Sequence, residues 1–139
     1  MDSIETLTEH EAIVVLAEAW NRLDPCKLID LMASDVHYCS QRVLEELTTK
    51  ESVSEFLQER MRLTAENVTT KPNVKVFAEL GKTDDLQECD CVVIAQGTQE
   101  NIVTVVFLKV EGNRIKRIDL CVPQFRQVVR SGVYPGRVG

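Results

Sequence analysis

The sequence predicts an α+β domain in which three helices gather on the inner face of a curled, mixed but mainly antiparallel sheet. Three observations carry the prediction. In the first half of the chain, apolar residues recur at spacings of three and four, the period of a helix with one buried stripe. From Lys71 onward the period falls to two, which is that of a strand. The third is the stretch from Glu100 to Val122, which reads as two long antiparallel strands joined at Gly112-Asn113. Helices collected on one face of an antiparallel sheet are the α+β layer solution, and a strongly twisted sheet curls around them.

The elements follow in order. Thr8 and Glu11 have capping-box spacing, so a helix begins there and buries Ile13, Leu16, Ala17 and Trp20 on one face. Asp24 and Pro25 end it and start a second helix, with Asp24 as cap, Pro25 in the first turn, and Leu28, Leu31 and Met32 as the inner stripe. After Ser34-Asp35 a strand puts Val36, Tyr38 and Ser40 on one side and His37 and Cys39 on the other. A short extended piece from Arg42 to Leu47 leads into a third helix, capped by Thr48 or Thr49, with Val53, Phe56, Leu57, Arg60 and Met61 at helical spacing. Two strands follow, Asn73 to Leu80 and Cys89 to Gln96, and then the long hairpin. Residues 1–139 form one domain, and residues 124–139 show no clear period, so a loosely ordered tail, or one that docks on a partner, is expected.

Gly-Asn supplies the positive φ of a two-residue primed turn, so regular alternation sets the register of the hairpin. One side then carries Val103, Val105, Phe107, Ile118, Leu120 and Val122 and is apolar beyond the charged turn. The other carries Thr104, Val106, Leu108, Val110, Ile115, Arg117, Asp119 and Cys121. The apolar side is expected to look inward at the helices. The mixed side is expected to be wet or covered by another subunit.

Composition excludes several classes. Hydrophobic residues at 44% and charged residues at 27% are ordinary for a globular domain, and no apolar run reaches the roughly 18 residues of a membrane span. The acidic N-terminus lacks the regions of a secretory signal, so a cytoplasmic protein is expected, in which the five cysteines stay free thiols. A net charge of -6 argues against nucleic acid, because phosphate binding needs a concentrated basic face. Cys89 and Cys91 lack the second ligand pair of a zinc site, so no metal and no cofactor is expected.

The phrase AWNRLDPCKLIDLMASDVHY, with TKESVSEFL and VEGNRIKRIDLCVP, resembles the nuclear transport factor 2-like superfamily, which includes the SnoaL-like and ketosteroid isomerase-like proteins. The resemblance implies a cone, the cystatin-like α+β barrel, with an interior pocket and a homodimer paired through the outer sheet face. Laying the steroid isomerase pattern on this chain puts Leu16, Ser40 and Val105 where a Tyr and two Asp residues would act. None of the three can move a proton or stabilise an enolate as those residues do. The expected pocket is lined by Leu16, Trp20, Tyr38, Ser40, Leu57, Met61, Val105, Phe107, Ile118 and Leu120, which either surround a cavity or fill it. The expected dimer interface is Thr104, Val106, Leu108, Arg117, Asp119 and Cys121. Three functions stay open: a noncatalytic protein that binds an apolar small molecule, an enzyme using a carboxylate placed elsewhere, or a protein-interaction module. An enzyme would pair Tyr38 with Asp90 or Asp119, and Asp90 facing inward beside Val92 and Ile94 would favour it.

Overall fold

A computed structural model describes residues 6–41, 43–83, 89–123 and 128–137. Helix α1 spans Glu9–Arg22 and α2 spans Cys26–Leu31; strands β1, Met32–Ser40, and β2, Val43–Leu47, follow, then α3, Lys50–Asn67. A single 3-10 turn, Pro72–Val74, leads into β3, Val76–Thr83, β4, Asp90–Gln96, β5, Ile102–Glu111, β6, Arg114–Cys121, and β7, Val128–Arg130. The seven strands form one sheet in the order β2-β1-β6-β5-β4-β3-β7, antiparallel throughout except where β1 runs parallel to β6. Local chemistry starts α1 and α3 as expected. At α2, by contrast, the cap position is taken by Pro25 instead of Asp24, whose Oδ1 accepts from Cys26 N, and Met32, expected on the stripe of that helix, is the first residue of β1. Thr8 and Glu11 close a capping box on α1, and Thr49 caps α3 by accepting from Ser52 N. Helix α1 lies across β3, β4 and β5, and α3 lies against β1.

The hairpin differs from the regular register at one residue. Gly112 and Asn113 take the positive φ of the primed turn, and Glu111 pairs with Arg114 and Val110 with Ile115. Lys109 then pairs with Arg117, so Lys116 is an extra residue, a β-bulge. The cause lies in the spacing of Ile115 and Ile118. Three residues apart, they fall on opposite faces of a regular strand, and one would be left in water at a cost of roughly 2 kcal/mol. The bulge turns both inward, each fully buried, and sends the Lys116 ammonium to Asp35 at 2.7 and 2.8 Å.

Every partner beyond the bulge moves by one, with Leu108 opposite Ile118, Phe107 opposite Asp119, Val106 opposite Leu120 and Val105 opposite Cys121. The inner wall is therefore Val106, Leu108, Val110, Ile115, Ile118 and Leu120. Val105 and Phe107, expected inside, lie on the outer face with Cys91 and Val93. Val106 and Leu108, expected at a dimer interface, are core residues, and Thr104 shares their side through its pairing with Ile94. Arg117, Asp119 and Cys121 keep the outer face.

Residues 128–137 fold back on the chain's own sheet edge. Strand β7 pairs with Gly81 to Thr83 of β3, and Leu80 exchanges backbone hydrogen bonds with Ser131 and Val133. Glu79, 3% exposed, accepts from Arg130 Nε and from Gly132 N, each at 2.6 Å. Asn21 at the end of α1 donates to the carbonyls of Ala78 and Pro135 and accepts from Ala78 N, tying helix, edge strand and tail together. The segment covers backbone groups of β3 that would otherwise template pairing with another chain.

Arg130→Ala leaves the Glu79 carboxylate buried without its cation. The expected loss is roughly 3 kcal/mol, the low end for a broken buried pair because Arg130 keeps about a third of its side chain in water. Urea unfolding of the variant beside Glu79→Gln/Arg130→Met checks this, the double variant recovering most of the loss.

Candidate functional site

The inner wall separates the expected pocket residues into groups. Leu16, Leu57, Met61 and Ile118 are at most 2% exposed and are ordinary core, and Trp20 and Leu120 pack against them half-buried. Val105 and Phe107 lie outside the cone, as above. Ser40 keeps the side of Tyr38, because β1 runs in register with β6 there and pairs it with Leu120, and it also borders a groove that Cys39, Asp119 and Cys121 line from the outer face. Two concavities stand out among the described residues. One is that groove, and the other is a shallow depression on α3 formed by Glu55, Gln58, Glu59 and Arg62, so both lie outside the cone.

Tyr38 is the polar group of the inner wall. Strand alternation directs it inward with Val36, and it is 7% exposed. Its ring lies 5.4 Å from that of Phe56 on α3, tilted by 53°. No buried side-chain oxygen among the described residues lacks a partner, so the unbonded Tyr38 hydroxyl reaches water at the edge of the wall, while burial of the side chain raises its pKa against a smaller opposing pull from Arg60. A phenol held in its neutral form is a donor at every ordinary pH. Arg60, one turn beyond Phe56, holds its guanidinium carbon 5.4 Å from the centre of the same ring. Helical spacing grouped Phe56 with Arg60 in the sequence, but nothing local linked them to Tyr38, on a different element.

The acid/base candidates are far apart. Asp90 does face the helix side, since it alternates with Val92 and Ile94 of the core, and its Oδ2 lies 3.3 Å from His10 Nδ1. That pair sits at the first turn of α1, ten residues and so about 15 Å along the axis from Trp20. Strand β4 is also three strands from β1, about 14 Å at the usual spacing, with the side chains of Leu108 and Ile118 between. Asp119 is on the outer face. The pairings of Tyr38 with Asp90 or Asp119 are therefore not brought together, and the missed element is the His10 contact, which joins residues 80 apart.

The outer face carries a second apolar cluster. Cys91, Val93 and Val105 are buried there, with Ile102, Phe107 and Val128 packed against them. Beside it lies the groove of about 390 Å³, walled by Cys39, Phe107, Leu120 and Cys121 and rimmed by Arg117 and Asp119. Arg117 Nε donates to both Asp119 oxygens at 3.0 Å, and His37 pairs with Glu46 at the same side. Burial, then the Glu46 carboxylate, pushes the Cys39 thiol up to about 11, and burial pushes Cys91 up to about 12. At pH 7.5 fewer than about one Cys39 in a thousand is a thiolate, so Cys39 is not an activated sulfur. Among the described residues no group of His, Cys, Asp and Glu side chains could hold a metal ion, and no helix is long and apolar enough to cross a membrane.

No family model and no curated protein matches the chain in sequence. Solved structures do match its fold. An NTF2-like protein of unknown function from Cytophaga hutchinsonii is 7% identical over 88% of this chain and 96% of its own, with a TM-score of 0.57. A de novo designed protein with a curved β-sheet is 19% identical over 86% and 91%, at 0.56. A hypothetical protein with a ketosteroid isomerase-like fold from Catenulispora acidiphila, solved with trimethylamine, is 17% identical over 81% and 85%, at 0.51.

The Tyr38 hydroxyl reaches water and bonds no other described residue, so Tyr38→Phe is expected to change stability by less than about 0.5 kcal/mol, moving Tm by no more than roughly 2 °C. Thermal unfolding followed by circular dichroism measures it. A loss of about 1 kcal/mol or more would mean that the hydroxyl is bonded within the fold.

Proposed function

We propose that this chain, whose fold is that of the nuclear transport factor 2-like proteins, is a noncatalytic small-molecule-binding protein that works as a homodimer. The observation that carries the proposal is the Tyr38 hydroxyl, a neutral donor that reaches water at the edge of an otherwise apolar wall. Binding sites of this kind combine apolar lining with a few placed polar groups. Because Leu16, Leu57, Met61 and Ile118 occupy the centre of the cone, the ligand belongs at its mouth, between β1 and α3, where Tyr38 and Phe56 meet. The lack of a proton-moving group at Leu16 and Ser40 and the distance of the His10 and Asp90 pair from Tyr38 support a binding role over an isomerase-like reaction.

Pairing with a second copy uses the outer face. There Phe107 is half-buried at the edge of the cluster formed by Cys91, Val93 and Val105, and Arg117 and Asp119 present one charge of each sign beside it. A two-fold axis through such a face sets the Arg117 of each copy near the Asp119 of the other, which makes the surface self-complementary. A second reading, a protein-interaction module without ligand, is favoured by the packed centre of the cone.

Thermal-shift screening of the full chain against a library of apolar small molecules tests the ligand. Occupancy at a hundred times Kd adds about 2.7 kcal/mol, so binders raise Tm by several degrees, and Tyr38→Phe weakens them roughly tenfold. A library that leaves Tm unmoved favours the interaction module. Light scattering tests the dimer: twice the 15.7 kDa of the chain is expected, and Phe107→Glu should give the single mass. A strictly single mass for the unaltered protein would count against pairing through this face.

A further inference from the structure

We propose that the tail, residues 128–137, is exchangeable: as concentration rises, the tail of one copy leaves its own β3 edge and docks on the β3 edge of a second copy, making a reciprocally swapped dimer. This contact is separate from the pairing through Phe107 described above. Its basis is a socket whose occupant the structure itself identifies. The socket is the edge of β3 with the end of α1 beside it, and three of its features are shaped to one segment. Glu79, 3% exposed, has both oxygens committed to the tail, through Arg130 Nε and Gly132 N. Gly81 leaves room for a second backbone, since a Cβ there would stand 3.1 Å from the carbonyl oxygen of Val129. Asn21 donates to the carbonyl of Pro135, and a Cβ on the next residue, Gly136, would stand 2.9 Å from the Glu18 side chain, so the turn reaches α1 because it carries no side chain there.

A segment that fits so particular a socket in cis fits it equally in trans, and the same contacts form either way. The balance is then set by the cost of detaching the tail and by its effective concentration at its own socket. Detachment leaves the core closed. Val128 packs on the outer cluster, but Val129 and Val133 stay 57% and 51% exposed, and the rest of the grip is hydrogen bonding to an edge strand and a helix end. The tether is also short. Cys121 stands in line with Val105, Val93 and Glu79 across the sheet, and Val128 pairs with Thr83, further along β3. From Cys121 to Val128 is about 23 Å measured along the sheet, and the chain between them reaches at most about 25 Å when fully extended. A connection with so little slack lowers the effective concentration in cis and favours exchange.

Charge reversal tests the swap in a Phe107→Glu background, which removes pairing through the outer face. A copy carrying Glu79→Arg and a copy carrying Arg130→Glu each set like charges together, in cis or with their own kind, so each alone is expected to keep the single 15.7 kDa mass with a lowered Tm. In an equal mixture, Arg130 of the first meets Glu79 of the second and the two substituted positions meet each other. Light scattering should then show twice the mass, and Tm should rise above that of either copy. A mixture that keeps the mass and Tm of its parts would overturn the exchange. A second measurement does not disturb the socket: Lys82→Cys/Val129→Cys, with the exposed Cys26 and Cys89 changed to serine, places two thiols at exposed and directly opposed positions of β3 and β7. Oxidation should link these positions within one chain at micromolar concentration and between chains at millimolar, as peptide mapping of isotopically mixed chains reads out. Links within single chains at both concentrations would sink the proposal, and a doubled mass of the unaltered protein abolished by Phe107→Glu would still leave the outer-face pairing standing.

Discussion

Strand β6 must bury Ile115 and Ile118 on the same face although they are three residues apart, and the bulge at Lys116 is how it does so. A two-residue period admits no other solution short of exposing one isoleucine. Once Lys116 is looped out, the partner strand has no choice of face: Val106 and Leu108 must look at α1, and Val105 and Phe107 must look away. The displaced lysine meets Asp35, and the bulge lies near the turn, where extra twist helps the sheet to curl. The cone, its inner wall and its outer patch all inherit their composition from this one insertion.

Features governed by neighbours in sequence were legible. Thr8 and Glu11 cap α1 because both partners lie within one turn, and Gly112-Asn113 forms a primed turn because the backbone of those two residues decides it. The bulge was hidden because alternation along β5 and β6 separately is compatible with two registers, and only burial against α1 chooses between them. The spacing of Ile115 and Ile118 was the available signal. Residues 128–137 showed no period because they are held by a sheet edge and one helix end, through Glu79 and Asn21, not by a stripe of their own. The inward direction of Tyr38 followed from β1 alone, whereas its relation to Arg60 needed the packing of α3 on β1.

Fold and task separate cleanly in this molecule. A natural protein 7% identical and a designed one 19% identical share the curved architecture at nearly equal TM-scores. The architecture therefore depends on patterning, caps and bulges, which many sequences satisfy, and carries no chemistry of its own. Chemistry has to be sought in side chains that the fold does not need. Asp90 illustrates the point from the other side: it faces inward, as a catalytic carboxylate would, yet it ends at the rim with His10, and the buried carbons of Leu108 and Ile118 lie between it and Tyr38.

Polar groups in the interior can be compared by what they satisfy. Asn21 spends its amide on three backbone groups, and both oxygens of Glu79 have a donor. These side chains repay their own desolvation and fasten the tail to the sheet. Tyr38 differs: its ring is buried against Phe56 while its hydroxyl stays within reach of water, so it ties no part of the fold together. A polar group that the fold does not use is available to something outside the fold.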